Sequence, residues 1–291
     1  MKYHLIAALT TAIWGTTLVS SKILLQAGMT PAEILFSRLV LAYVFLWLLY
    51  PHLHKPQLHD ELVFAVSGIF GGTIYFLTEN TALQYTSATN LSLICATVPV
   101  ATAIASQLIL HEKHITRCFI TGSVIALTGV ILVILNGAFV LKLSPVGDLL
   151  GVLSVISWSL YCVSLKKLKS DFNSLYVIRR VFFYSILTLA PVFLFRPYSF
   201  PLSGFKNVEV FSNIVFLGLI ASSFCYYMWT IAIKKIGVVS TNSYIYIMPI
   251  VTVVTANVFL SEKITVYVVI GAVLIIGGLV LTRLKSFKMK E

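Results

Sequence analysis

Glu79 is the one acidic residue of this chain placed well inside an apolar run. Asn80, Thr81, Ala82 and Leu83 carry the run past it before the Tyr85-Thr86-Ser87 turn. The carboxylate therefore lies about a turn and a half, at roughly 1.5 Å per residue, from the nearer end. A carboxylate at that depth is costly unless it faces water or a partner. It could bind a substrate amine or carry a proton in exchange; the competing reading is a cap on a shorter helix, facing solvent. At helical spacing Glu79 shares a face with Tyr75, Gly72 and Ala82, and Trp229 with Tyr226, Cys225 and Ser222. Trp158 runs with Tyr161 and Ser154, and Trp14 with Thr10, Thr17 and Ser21. Ser92 and Thr102 flank Pro99, while Asn242 and Tyr246 precede Pro249. Convergence of these faces would form an aromatic-walled, partly polar cavity for a small organic molecule, or for a cation over ring faces. The substrate-binding residues expected from the sequence are Trp14, Tyr75, Glu79, Ser92, Trp158, Tyr161, Tyr226, Trp229, Asn242 and Tyr246. For any one aromatic alone, interfacial anchoring or helix packing is the commoner fate, and Tyr3, Trp47 and Tyr50 near helix ends read that way.

The two prolines belong to a repeat. Ala88 to Lys113 contains Pro99 and, thirteen residues later, Glu112-Lys113; Val238 to Lys263 contains Pro249 and Glu262-Lys263 at the same spacing. Ala82 matches Ala232, Trp14 matches Trp158 and Lys22 matches Lys166. With one residue dropped, Gly122 matches Gly271 and Gly129 matches Gly278. A membrane-helix proline removes a backbone donor and frees the carbonyl one turn earlier, here those of Cys95 and Ile245. Interrupted helices at corresponding positions of two repeats point to a transport site. The alternative is a pair of kinks that lipid tolerates.

The elements that must position these residues are membrane spans. The chain of 291 residues is 58% hydrophobic and only 11% charged, which excludes an ordinary soluble domain. Its apolar residues fall into runs of about 20, the length a helix needs to cross a bilayer. The predicted runs are 4–25, 31–50, 62–84, 88–110, 116–136, 146–165, 175–195, 211–233, 238–260 and 264–283. Long unbroken runs exclude a β-barrel. The expected fold is all-α: a polytopic membrane bundle of ten transmembrane helices in two inverted five-helix repeats, 1–138 and 146–291. The halves are joined by the turn-rich stretch from Asn136-Gly137 to Ser144-Pro145. An odd number of spans per copy turns the second copy upside down, the arrangement on which many carriers base alternating access.

The net charge of +11 is topological. With a cytoplasmic N-terminus, thirteen Lys and Arg residues fall inside, among them Lys55, Lys166, Lys167, Lys234, Lys235 and Arg283. Only four (Lys142, Arg196, Lys206 and Lys263) fall outside. That asymmetry predicts both termini in the cytoplasm and gives no case for nucleic acid. The first helix continues too far and lacks a cleavage site, so it is not read as a signal peptide. Cys95, Cys118, Cys162 and Cys225 all lie in predicted spans and read as small buried hydrophobes.

Mid-helix prolines in paired halves, the following Glu-Lys and the glycine-spaced last helix resemble the EamA repeat of the drug/metabolite transporter superfamily. The tract from Ala82 to Ala88 is similar to that family's connection between its third and fourth helices, and Trp14-Gly15 also fits. Trp158-Ser159 departs from the pattern, which puts close helix approach there in doubt. The resemblance implies a ten-helix carrier, and members are mainly exporters of amino acids, other metabolites or toxic organic compounds.

Lys22 and Arg180 lie near helix ends and can snorkel. Arg38 and Arg180 are approximate repeat mates, for which paired structural roles are expected; the alternative for Arg38 is to hold a substrate carboxylate. His52-x-His54 lacks cysteine partners, so no metal site is expected, and no cofactor is called for. No Gly-x-x-x-x-Gly-Lys run is present, so an ion gradient or the substrate's own gradient must drive transport. The function expected is export of a small metabolite, an amino acid or amine, across the inner membrane, with the lipid bilayer as surroundings and a proton as candidate co-substrate. The rivals are an uncoupled facilitator, a multidrug exporter and, outside the class, a lipid-acting membrane enzyme. The last would need a His, Asp or Glu cluster at one interface.

Overall fold

The computed structural model describes residues 1–112, 115–135, 144–169, 171–260 and 265–282. Lys113, the joining stretch from Asn136, the Glu262-Lys263 turn and the basic C-terminal residues from Arg283 lie outside them. The described residues are almost wholly helical. Eight helices are long and apolar enough to cross a membrane: α1 (Lys2–Gln26), α2 (Pro31–Leu49), α3 (Leu58–Tyr85), α4 (Asn90–Leu110), α6 (Pro145–Leu165), α7 (Ser174–Phe195), α8 (Val208–Ile236) and α9 (Val238–Thr255). Two shorter apolar helices, α5 (Arg117–Val133) and α10 (Val266–Leu281), complete the chain order. In a medium without water every backbone donor must find an internal acceptor, which a helix does within its own length.

Local chemistry sets the helix starts. Thr30 and Glu33 form a reciprocal capping box at α2, with Pro31 in the first turn. Ser144 caps α6 ahead of Pro145, and the Asn207 side chain accepts from the amides of Glu209 and Val210 at α8. The α7–α8 loop is tied back onto α2: the Glu33 carboxylate accepts from the amides of Ser199 and Phe200 at 2.6 and 2.9 Å.

Packing between helices is matched. α3 packs on α6 and α8 on α1; α4 packs on α6 and α9 on α1; α2 packs on α8 and α7 on α3. α5 and α10 pair with each other along their length, antiparallel, because Gly122 faces Gly278 while Gly129 faces Gly271. A methyl on Gly129 would come within 2.5 Å of the Gly271 carbonyl oxygen, so only glycine permits this approach.

Four interruptions fall at matched places. α3 is π-helical over Ile69–Ile74 and α8 over Phe216–Phe224. α4 breaks at Ala96 and Thr97 before Val98-Pro99, and α9 tightens to a 3-10 segment over Ser243–Ile247 before Met248-Pro249. The carbonyl of Ile245, which Pro249 would leave without its helical donor, instead accepts from the amide of Met248. Large apolar side chains such as Leu5, Leu48, Leu62, Leu108 and Val273 cover the outside of the bundle.

Candidate functional site

α1, α2, α3, α4, α6, α8 and α9 converge on a tight central cavity of about 30 Å³. Of the sequence-predicted site residues, Trp14, Tyr75, Glu79, Trp158 and Tyr226 line it. Both proline interruptions border it as well, through Cys95 and Val98 on α4 and through Ile245 and Met248 on α9. Arg38 from α2, Thr17, Phe76, Ser154 and Val155 complete the lining.

The aromatic wall is held by hydrogen bonds to the helix interruptions. Trp14 Nε1 donates to the carbonyl of Ala221, inside the π segment of α8, at 3.0 Å. Tyr226 donates its hydroxyl to the carbonyl of Gly71, inside the π segment of α3, also at 3.0 Å. Gly71 and Ala221 are separated by the same 150 positions as Pro99 and Pro249. A π turn leaves carbonyls off the regular ladder, and a buried carbonyl needs a donor. Trp158 Nε1 donates to Asn242 Oδ1 at 2.9 Å, just before the 3-10 segment of α9. The rings then fix one another. Trp14 meets Trp158 edge-on at 5.1 Å, and Trp158 lies 4.9 Å from Tyr75 and 5.6 Å from Tyr226.

One carboxylate and one guanidinium face this chamber. Glu79 is buried at 4% exposure, on a helix that continues to Tyr85, so it does not cap a solvent-facing end. Its Oε1 accepts from the Tyr75 hydroxyl at 2.5 Å. Arg38, exposed by 2%, donates from Nε to Ser222 Oγ at 3.0 Å and lays its guanidinium 4.1 Å from the Phe76 ring centroid. That stacking stabilises a desolvated guanidinium by about 2 kcal/mol.

The remaining predicted residues stand away from the lining. Tyr161 and Trp229 are fully buried one ring further back, against Trp158 and Trp14. Asn242 acts on the cavity through Trp158. Ser92 is buried on α4 without reaching the lining. Tyr246 packs into a separate apolar cluster with Ala126, Val130 and Ile275 of the α5–α10 pair, because the tightened 3-10 turn rotates it off the cavity face.

Arg38 was legible only as an arginine deep in the second run. The π segments carried one cue, the adjacent Gly71-Gly72, and Gly72 lies against Ser185 where no side chain fits. Ser159, where Gly15 stands in the first copy, does not open the packing. Thr102 Oγ1 donates to Ser159 Oγ at 3.1 Å, and Thr252, 150 positions later, donates to the Gly15 carbonyl at 2.9 Å. Lys22 Nζ caps the Leu83 carbonyl, and Arg180 pairs with Glu61. Arg179 binds the Tyr50 and His52 carbonyls, and His54 packs edge-on against Tyr176.

The sequence is similar to those of known proteins. The sequence profile of the EamA-like transporter family matches residues 1–135 and 145–284. An uncharacterized transporter of Archaeoglobus fulgidus is 28% identical over 98% of both chains. An uncharacterized transporter of Bacillus subtilis is 30% identical over 81% of this chain and 79% of its own. A probable terminal-alkyne amino-acid exporter of Streptantibioticus cattleyicolor is 24% identical over 94% of this chain and 90% of its own. A solved crystal structure superposes with a TM-score of 0.76 at 18% identity, covering 98% of this chain and 99% of that one, a likeness of fold.

Proposed function

The chain belongs to the EamA-like transporter family, and from that premise we propose that it is a secondary transporter exporting a small organic metabolite, an amino acid or amine, across the cell inner membrane. The observation that carries this reading is the central cavity where seven helices converge, walled by Trp14, Trp158 and Tyr226 and lined by one carboxylate and one guanidinium. Cavities of this kind, apolar with a few convergent polar groups, suit small organic ligands.

The mechanism is alternating access by two inverted five-helix halves, 1–138 and 146–291, in a bundle of ten spans with both termini cytoplasmic. The matched packing supports this. Gly122 against Gly278 and Gly129 against Gly271 is an isologous contact, in which repeat mates exchange places across a two-fold axis. Since α5 and α10 run antiparallel, such an axis lies across the helices and inverts one half relative to the other. The α4 and α9 interruptions beside the cavity, together with the π segments, supply places where helices can bend. Glu79 would bind a substrate ammonium or pass a proton.

The test is uptake of radiolabelled amino acids and amines into proteoliposomes containing the purified chain. Saturable uptake of at least one solute is expected. If no solute is carried while the purified protein chemically alters a lipid, the carrier reading is lost.

A further inference from the structure

Away from the central cavity, the end of α6, the start of α7 and the last turns of α8 enclose a second hollow of about 590 Å³ that opens to solvent. It lies on the side that the Lys and Arg asymmetry places in the cytoplasm. Lys166 and Lys169 come to it from α6 and the loop that follows, Lys234 and Lys235 from α8, and Asp171 is the one carboxylate in its lining. Four ammoniums against one carboxylate leave three positive charges around one space. Lys234 is engaged, donating to Asp171 Oδ1 at 3.1 Å and to the Phe172 carbonyl at 2.6 Å. The ammoniums of Lys166, Lys169 and Lys235 are exposed and have no acceptor among the described residues.

The first copy builds nothing of this kind. Lys22, the mate of Lys166, donates to the Leu83 carbonyl, whereas the carbonyl of Ile233, which matches Leu83, accepts from the amide of Gly237. Lys166 is left without that role. The positions matching Lys169, Lys234 and Lys235 are Leu25, Gln84 and Tyr85, none of them charged. A feature used at both ends of the bundle would stand in both copies; this one serves a single leaflet.

Next to the lysines the hollow turns apolar. Tyr227 and Ile231 of α8 belong to its lining and stand at four-residue spacing with Lys235, so one helix stripe leads from ammonium to aliphatic and aromatic surface. Ile220 and Phe224 carry α8 on toward the middle of the bundle, both exposed on its outside. We propose that this hollow seats an anionic phospholipid of the cytoplasmic leaflet, with its phosphodiester among Lys166, Lys169 and Lys235 and an acyl chain along Ile231 and Tyr227. An ammonium is a point charge with three donors, suited to phosphate oxygens, and basic pockets beside membrane helices recruit anionic headgroups. A soluble phosphodiester would meet the lysines and leave the apolar stripe bare. A zwitterionic lipid would cover the stripe but bring its own cation to three that lack a counter-charge.

The test is thermal melting of the purified full chain in non-ionic detergent, titrated with dioctanoyl phosphatidylglycerol, dioctanoyl phosphatidylcholine and the chain-free headgroup glycerophosphoglycerol. A ligand held only by the folded state raises Tm saturably. Phosphatidylglycerol should do so, and at least about tenfold more of either other probe should be needed for the same shift. Lys166→Gln combined with Lys235→Gln gives up no hydrogen bond of the folded chain, so the lipid-free Tm should hold while the response to phosphatidylglycerol weakens by about tenfold or more. Lys166→Arg with Lys235→Arg should restore it, and Lys55→Gln, on the exposed α2–α3 loop, should leave it unchanged. Lysines that serve only to orient the chain in a bilayer have no such role in detergent, so an equal response in wild type and the double glutamine variant overturns the proposal. Equal potency of phosphatidylcholine would make the face a general lipid contact, and equal potency of glycerophosphoglycerol a site for soluble anions; either result overturns it as well.

Discussion

The indoles of Trp14 and Trp158, residues at the same place in α1 and α6, meet edge to face at 5.1 Å with their planes 87° apart. Their ring nitrogens point away from each other, to the Ala221 carbonyl on α8 and to Asn242 on α9. The contact therefore sits where the two sets of matched helices touch, and any rocking of one set on the other must slide or break it.

Trp14→Phe and Trp158→Phe each keep a ring but remove the donor, leaving a buried acceptor short of a partner at a cost of about 1–3 kcal/mol. Both variants should insert in the membrane, melt earlier than wild type and carry substrate about tenfold more slowly. Proteoliposome uptake with a parallel melting curve checks this; wild-type rates in both would make the pair passive packing.

Much of this arrangement was legible in the sequence, and the reasons differ by residue. Glu79 stood out because a carboxylate is rare inside an apolar run, Trp14 and Trp158 because they match between the two copies, and the cavity gathers all three. The places where α4 and α9 break were readable from Pro99 and Pro249, since proline acts through its own backbone. The depth of Arg38 in its run does not say which way it faces; the stack on Phe76 and the bond to Ser222 do. Regular helical spacing puts Tyr246 on the cavity face, whereas the segment from Ser243 to Ile247 is a 3-10 turn and Tyr246 packs against the α5–α10 pair. The π segment of α3 had only Gly71-Gly72 as a local cue, and its carbonyl at Gly71 is met by Tyr226 from α8, a contact that no local pattern records.

Pro99→Ala and Pro249→Ala should each restore a backbone donor and regularise a helix that borders the cavity. Expression should persist while transport slows several-fold, measured as initial uptake rate per inserted protein. Unchanged rates in both single variants would reduce the prolines to incidental kinks.

The asymmetry of Lys and Arg between the two sides sets the expected sidedness. Cysteines introduced between Lys166 and Asn173 should react only with reagent admitted to the cytoplasm, and cysteines between Arg196 and Glu209 with impermeant reagent from outside. A C-terminal reporter should be active only inside. External labelling of the C-terminus would overturn the sidedness read from Lys and Arg, and termini on opposite sides would contradict the two-fold arrangement inferred from the α5–α10 glycines.

Glu33 anchors the long α7–α8 connection by accepting from Thr30, Ser199 and Phe200 while only 1% exposed. Glu33→Ala strands those amides and should destabilise the protein by about 2–4 kcal/mol. Glu33→Gln, which retains acceptor capacity but loses the charge, should cost less. Thermal melting of detergent-solubilised protein ranks the two; equal Tm values for Glu33→Ala and wild type would show that the loop is held by other contacts.

Glu79 offers the sharpest division between readings. Glutamine in its place can still accept the Tyr75 hydroxyl and fills the same volume, so Glu79→Gln removes the charge with little change of packing. If the carboxylate binds an ammonium or passes a proton, transport should fall tenfold or more, or lose its dependence on pH, while the protein still elutes as a folded species. Glu79→Asp is shorter and gives up the Tyr75 bond, yet it remains ionisable and should retain part of the activity. A group that merely fills space predicts the reverse order, with glutamine near normal and aspartate impaired by the gap it leaves. Uptake rates of the two variants, measured side by side across a pH series, therefore decide whether the charge of Glu79 or only its shape is used.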